Sequence, residues 1–372
     1  MDCQDEFFQL RMGRLGFPDP AEKERYEEKK VEINQKISRI RSEARNNAKS
    51  GKCFICGKEC SSYCKSHSIP RFALQNVATN GKVCATLQGE VPTLDKDTGI
   101  ASAGKFFLIC DACDNERFQE YEAPEAYGVR PTDRMLAQIA MKNHLQMISK
   151  RKEERELYQI LCREYPENSE VSEERIAICD YDLEEYLDGF KCAKKALADK
   201  IGSQHYYLCY FRLLDYVVPY AAQSAVAIIC DFEDNVINDI FNRDEKYTLK
   251  NIHVAIFPLE TKSVVMLFIE DGEKRYRNFY KQLSKLDPDD QLAAINYLVF
   301  SYTENVFLNV ETAQEMQFNQ MFMDTCRKSV DAVSFFPVAL EPPLNVAIRE
   351  FSMGHRNEIP NLLSKDYALD IT

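Results

Sequence analysis

Between residues 19 and 49 the apolar side chains are sparse. Ile33, Ile37, Ile40 and Ala44 fall at spacings of four, three and four, which puts them on one face of a helix. Asp19-Pro20 reads as an N-cap with proline in the first turn, and Asn46, Ser50 and Gly51 as the end. So narrow a stripe suits packing on one partner helix or on a second copy of the chain. Residues 1–18 are weakly patterned. Helical periodicity returns over 131–165 and 183–218, with Pro166-Glu167-Asn168-Ser169 as a break between. Near residue 223 the character changes. Residues 225–232, Ile252–Pro258 and Ser263–Glu270 are rich in Val, Ile and Phe and bounded by turn residues, which predicts strands. Leu259-Glu260-Thr261-Lys262 joins the last two as a hairpin. Ser263-Val264-Val265-Met266-Leu267-Phe268 is apolar on both faces, so its strand is expected to be central and covered. Helices are expected over 274–286, 288–302 and 311–330. The tail from Phe335, with Pro337, Pro342, Pro343 and Pro360, is expected to wrap mostly as loop.

Composition narrows the class. The chain is 45% hydrophobic and 28% charged, enough apolar material for a core, so a wholly disordered chain is excluded. No run reaches 18 uninterrupted apolar residues, so no membrane-spanning helix is expected. The start, Met1-Asp2-Cys3-Gln4-Asp5-Glu6, lacks the basic and apolar regions of a secretion signal. A cytoplasmic location follows as an expectation, and with it reduced cysteines.

Of 14 cysteines, seven lie between Cys53 and Cys113 and the rest are scattered. The scattered ones, such as Cys209 and Cys230, read as small buried hydrophobes. Within the cluster, Cys53-x2-Cys56 and Cys110-x2-Cys113 have the spacing of a four-thiolate zinc site. Two thiolates three residues apart grip one ion from a tight turn, which Gly57 lets close. The second pair precedes Asp114-Asn115-Glu116-Arg117-Phe118-Gln119, a helix start, where the dipole favours a thiolate at Cys113. A knuckle followed by a pair at the head of a helix describes a treble-clef-like module with structural Zn2+. A redox role for the pairs would want a thioredoxin-like βαβ context, which the pattern lacks. Cys60, Cys64 and His67 form a second series that either replaces one pair, builds a second site, or lies outside the first ion's ligands.

Between the pairs lies Ser66-His67-Ser68-Ile69-Pro70. Together with Cys53-x2-Cys56 and Leu108-Ile109-Cys110-x2-Cys113, it resembles the HNH endonuclease family. It is also similar to bacterial proteins that carry Ser-His-x-Ile-Pro followed by Arg or Lys and Phe, here Arg71-Phe72. The HNH resemblance implies a structural zinc on Cys53, Cys56, Cys110 and Cys113. It also implies His67 as general base on water and a second, hard ion (Mg2+ or Mn2+) at the scissile phosphate, with Asp114 as its ligand. An imidazole titrates near neutrality and can take that proton, and a divalent ion offsets charge growing on phosphate oxygens. Ser66 stands where many members carry an acidic ligand, and Lys105 where many carry Asn. As alternatives, His67 hydrogen-bonds its own loop or binds zinc. Asp287-Pro288-Asp289-Asp290 reads as a helix start whose acids the dipole favours. His144, His205, His253 and His355 read as packing or surface residues.

Charge is uneven. Between Lys36 and Lys82 there are ten basic residues and two acids, Glu43 and Glu59, in a chain of net charge −12. A phosphate backbone would be drawn to that segment, which makes DNA or RNA the expected partner. The alternative is a solvated helix face paired with acids of the same chain or, in a homodimer built through the N-terminal helix, of its partner.

The expected protein is α+β. It has a helical segment (1–52), an HNH-like treble-clef zinc module (53–130), and a mainly helical region with a small antiparallel sheet (131–372). Two functions follow: metal-dependent phosphodiester hydrolysis, or non-catalytic zinc-stabilised recognition of nucleic acid or protein.

Overall fold

In a computed structural model of the protein, which describes residues 20–88, 91–92, 94, 96–166, 169–244, 246–331 and 342–370, the periodic segments become helices. In chain order they are α1 (Pro20–Asn47), α2 (Arg71–Val77), α3 (Asp111–Arg117), α4 (Asp133–Glu164), α5 (Ser169–Ala198), α6 (Arg277–Leu283), α7 (Pro288–Tyr302), α8 (Val310–Met316), α9 (Gln320–Asp331) and α10 (Pro343–Phe351). One sheet contains β1 (Lys82–Ala85), β2 (Asp97–Gly99), β3 (Tyr206–Leu214), β4 (Tyr220–Val226), β5 (Ile252–Pro258), β6 (Ser263–Glu270) and β7 (Val306–Leu308). Asp19, Glu167, Asn168, Pro337 and residues 1–18 lie outside the described residues. The chain divides into two compact units, each made of several stretches, whereas the expected segments were consecutive. The first is Met1–Ser66, Phe106–Arg117 and His144–Cys192. The second is His67–Lys105, Phe118–Asn143 and Ala193–Thr372.

In the first unit, the stripe on α1 is buried: Ile33, Ile37, Ile40 and Ala44 are each at most 3% exposed. Ile40 and Ala44 pack on Ile160 and Leu161 of α4. At Ile40 and Ala44 the partner of this face is therefore the chain's own helix. Charges seal the same seam. Arg39 makes a two-pronged pair with Glu164 (3.0 and 2.7 Å), Arg163 reaches Glu43 (2.7 Å) and Arg45 reaches Glu153 (3.5 Å). Basic residues of the 36–82 segment thus pair with acids of the same chain. The α4 and α5 helices are joined by Arg151–Asp182 (2.7 Å) and Arg155–Asp180 (2.5 Å).

The second unit is built on the sheet, in the order β2-β1-β7-β4-β5-β6-β3, with every pair antiparallel. The expected hairpin is present, with the Leu259 N–H donating to the Lys262 carbonyl (2.7 Å). Val264 to Phe268 are each fully buried because both faces are covered. Val265, Leu267 and Ile269 join the core with Tyr297, Leu298 and Phe300 of α7. On the other face, Phe268 stacks on His253 (4.7 Å), and Phe257 meets Phe72, Tyr121 and Tyr127.

Four expectations need correction. The sheet is not small: β1, β2 and β7 extend it to seven strands, two of them drawn from the turn-rich stretch 75–104. Residues 206–214 form the edge strand β3, not the end of a helix. Leu208, Phe211 and Leu214 sit at helical spacing, but pairing with β6 overrides that period. The strand expected at 225–232 lies at Tyr220–Val226, since beyond Val226 side-chain hydroxyls take over the backbone. Tyr276 accepts from the Ile228 N–H and Tyr302 from the Ile229 N–H, each at 3.2 Å. Among the described residues of the tail, Pro343–Phe351 form a helix rather than loop, and Pro343 occupies the first turn of this α10, the place where a missing N–H costs nothing.

Candidate metal centre

Cys53 and Cys56 sit on a tight turn. The Gly57 N–H donates to the Cys53 carbonyl (2.8 Å), and the Cys53 N–H to the Lys58 carbonyl (2.9 Å). Gly57 has φ +71°, a left-handed backbone that glycine adopts without strain. Cys110 and Cys113 bracket the start of α3, with Cys113 as its third residue. Backbone bonds tie the two pieces together. Phe54 N–H donates to the Leu108 carbonyl (2.9 Å), and Cys110 N–H points at the Cys53 sulfur (3.4 Å). The sulfurs of Cys53, Cys56, Cys110 and Cys113 lie within 4.8 Å of one another. Cys53 and Cys113 are buried, Cys110 is half-buried and Cys56 is exposed. All belong to the first unit. Such a group could hold one ion of a thiophilic metal such as zinc.

The electrostatics fit a cation. Burial works against a thiolate at Cys53, yet N–H donors from Cys56, Cys110 and Ile55 and the Cys56 thiol bring it down to about 6. Burial, followed by hydrogen bonding to Cys110, Cys56 and Cys53, pushes the Cys113 thiol up. Four crowded sulfurs cannot all carry negative charge without a counter-ion, and a divalent cation supplies it.

Cys60 and Cys64 are not members of the four-sulfur group. The Cys60 thiol donates to the Ser62 carbonyl (2.8 Å). The Cys64 thiol donates to Asp114 Oδ2 (3.3 Å), and the Ser66 hydroxyl donates to Asp114 Oδ1 (2.6 Å). Both oxygens of the expected hard-metal ligand are therefore engaged. Nothing in the spacing of Cys64, Ser66 and Asp114 announces this arrangement.

His67 belongs to the second unit. Its Nε2 lies 3.2 Å from the Ile100 carbonyl. Burial lowers its pKa. The Ile100 carbonyl opposes this, and Lys105, Lys142 and Arg71 add to the lowering. The turn around it is tightly fixed. Ser68 N–H donates to the Gly104 carbonyl (2.8 Å), and the Ser68 hydroxyl donates to Asn305 Oδ1 (2.7 Å). A Cβ on Gly104 (φ +61°) would come within 2.5 Å of the Ser68 oxygen. From Asn305 a buried polar chain continues. The Asn305 amide donates to the Gln223 carbonyl (2.6 Å), the Gln223 amide donates to Asn143 (2.8 Å), and Asn143 meets His253 Nδ1 at 3.1 Å.

The other histidines pack or pair. His144 is buried, His205 meets Asp199 at 2.9 Å, and His355 meets Glu358 at 2.8 Å. Asp287 caps α7 through the Asp289 and Asp290 N–H groups (3.0 and 2.9 Å).

Comparison of the chain with protein-family models, with curated proteins and with solved structures gives no match. Among the described residues, no helix is long and apolar enough to cross a membrane.

Proposed function

We propose that Cys53, Cys56, Cys110 and Cys113 hold one structural Zn2+ in a treble-clef-like module, and that the protein is a zinc-stabilised recognition module for nucleic acid. The observation that carries the zinc assignment is the convergence of four sulfurs from two Cys-x2-Cys pairs 57 residues apart in sequence. Cys53, Cys56, Cys110 and Cys113 would hold the ion, which would supply the positive charge that offsets their thiolates and would tie the knuckle to the head of α3. A donor set of four protein sulfurs suits a structural rather than a catalytic zinc.

Hydrolysis of the HNH type, with His67 as base and Mg2+ or Mn2+ on Asp114, is the second reading. In its favour, burial and then the cations Lys105, Lys142 and Arg71 lower the His67 pKa, which disfavours the protonated imidazole that could not serve as a base, while making the neutral ring a weaker one. Against it, Asp114 already accepts from Ser66 and Cys64, and Ser66 stands in place of an acidic ligand. Recognition is therefore preferred to catalysis.

One set of measurements tests both readings. Zinc content and binding of labelled DNA and RNA are measured on wild type and Cys53→Ser, and cleavage with Mg2+ or Mn2+ on wild type and His67→Ala. The proposal expects one zinc per chain, lost in Cys53→Ser, salt-dependent binding, and no cleavage. Metal-dependent cleavage abolished in His67→Ala would install the second reading. Absence of binding to every nucleic acid would remove the ligand assignment and leave the zinc.

A further inference from the structure

The cysteine knuckle of the first unit carries aromatic rings and free lysines as well as sulfurs. Its two arms are held by the Cys53 N–H on the Lys58 carbonyl (2.9 Å), the Cys60 N–H on the Gly51 carbonyl (2.8 Å) and an antiparallel bridge between Lys52 and Glu59. The Tyr63 hydroxyl donates to the Lys52 carbonyl (3.3 Å), and the Phe54 N–H to the Leu108 carbonyl (2.9 Å), which sets Phe54 beside Phe107-Leu108. The rings of Phe54, Tyr63 and Phe107 are half-buried, so part of each is open to solvent. Ammonium groups lie against two of them. Lys49 Nζ is 5.6 Å from the centre of the Phe107 ring, and Lys152 Nζ of α4 is 5.2 Å from that of Phe54. Phe190 of α5 meets Phe54 edge-on at 5.1 Å and supports it from the interior. Lys49, Lys52 and Lys58 are exposed, and among the described residues they make no ion pair. Arg39 and Arg45, further back on α1, are already taken by Glu164 and Glu153. The knuckle's own acid is Glu59, across the bridge from Lys52.

We propose that this surface binds single-stranded nucleic acid, with bases stacked on Phe54, Tyr63 and Phe107 and backbone phosphates on Lys49, Lys52 and Lys58. The inference rests on the recognition reading and names its substrate class and its place on the molecule. Rings interleaved with ammonium groups match the alternation of base and phosphate along a single strand. In a duplex the base faces are stacked on one another, so half-exposed rings gain nothing from it. Four thiolates around a divalent ion leave an excess of negative charge beside the lysines, which offsets part of their pull on phosphate. Stacking therefore carries the larger share of the affinity. Three phosphate contacts on a single strand give a shallow salt dependence, with a log–log slope of about −2. Single strands of DNA and RNA share this chemistry. His67 belongs to the second unit and takes no part in it.

Labelled oligothymidine, oligouridine and a mixed-sequence DNA duplex are titrated separately into the full-length zinc-loaded protein, with fluorescence anisotropy as the readout and zinc content measured for every variant. The single strands are expected to bind about 10-fold or more tightly than the duplex. Phe107→Leu keeps apolar bulk but removes the ring, and is expected to weaken single-strand binding about 5-fold or more, while Phe107→Tyr retains it. Lys52→Ala and Lys58→Ala are each expected to flatten the salt slope by roughly 0.7, and Arg39→Ala, whose charge is already paired, to leave it unchanged. Ultraviolet crosslinking of bound oligothymidine to the wild-type protein, mapped by mass spectrometry, locates the site without any variant having to fold. Crosslinks are expected at Phe54, Tyr63 or Phe107. Tighter binding of the duplex, single-strand binding indifferent to Phe107→Leu, or crosslinks confined to other segments would overturn this inference and leave nucleic-acid recognition standing. Failure of all three oligonucleotides to bind would overturn both.

Discussion

His144 shows how one residue can decide the approach of two helices. It is 2% exposed, and Gly189 on α5 lies against its imidazole so closely that an added Cβ would overlap the ring. Gly189 therefore serves packing, although glycine inside a helix costs about 1 kcal/mol relative to alanine. Gly189→Ala is expected to lower stability by roughly 1–2 kcal/mol, because overpacking outweighs the gain in helix propensity. A shift of the urea midpoint checks this, and an unchanged or raised midpoint would contradict the close contact. The same burial lowers the His144 pKa to about 4. The unfolded chain takes up this proton near pH 6.5 and the native protein does not. Stability from this residue is thus fully present above pH 6.5 and is lost as pH falls to about 4. The loss amounts to about 3 kcal/mol for a shift of this size. Wild type should lose stability over that window relative to His144→Leu, measured as the difference between their denaturation midpoints. Parallel curves would show that His144 does not titrate this way. From sequence, His144 is only a lone histidine in a periodic segment, and its glycine neighbour 45 positions later carries no local signal.

At the scale of elements, what was legible is what has a local cause. The α1 stripe, the β5–β6 hairpin and the start of α7 each follow from period, turn or cap within a few residues. At α7, Asp287 accepts from two N–H groups that the helix cannot satisfy itself. Asp287→Ala should therefore cost about 1 kcal/mol, read as a fall in Tm, while metal content stays unchanged. Loss of metal in that variant would contradict a purely capping role for Asp287. The misread elements owe their form to distant partners. β3 has a helical spacing of apolar residues and becomes a strand by pairing with β6. The helix expected over 311–330 breaks at Gln317-Phe318-Asn319, where the Asn319 side chain accepts from the Phe322 N–H and restarts the chain as α9.

At the scale of the whole molecule, sequence order and spatial grouping part company. β1 and β2 come from the stretch between the two cysteine pairs and enter the sheet of the second unit, while both pairs stay with the first. Counting residues along the chain cannot show this, because the strands of 82–85 and 97–99 are too short to carry a period. The four-sulfur group was legible because the constraint is chemical: the Cys-x2-Cys spacing reports a knuckle regardless of what lies between the pairs. The engagement of Asp114 was not, since its hydrogen-bond donors, Ser66 and Cys64, lie 48 and 50 residues away in sequence. The account as a whole rests on the four sulfurs sharing one ion. X-ray absorption at the zinc edge on the purified full-length protein tests this most directly. The account predicts one zinc per chain with four sulfur neighbours at about 2.3 Å and no nitrogen or oxygen in the shell. A protein without zinc, or a shell containing nitrogen or oxygen, would contradict it.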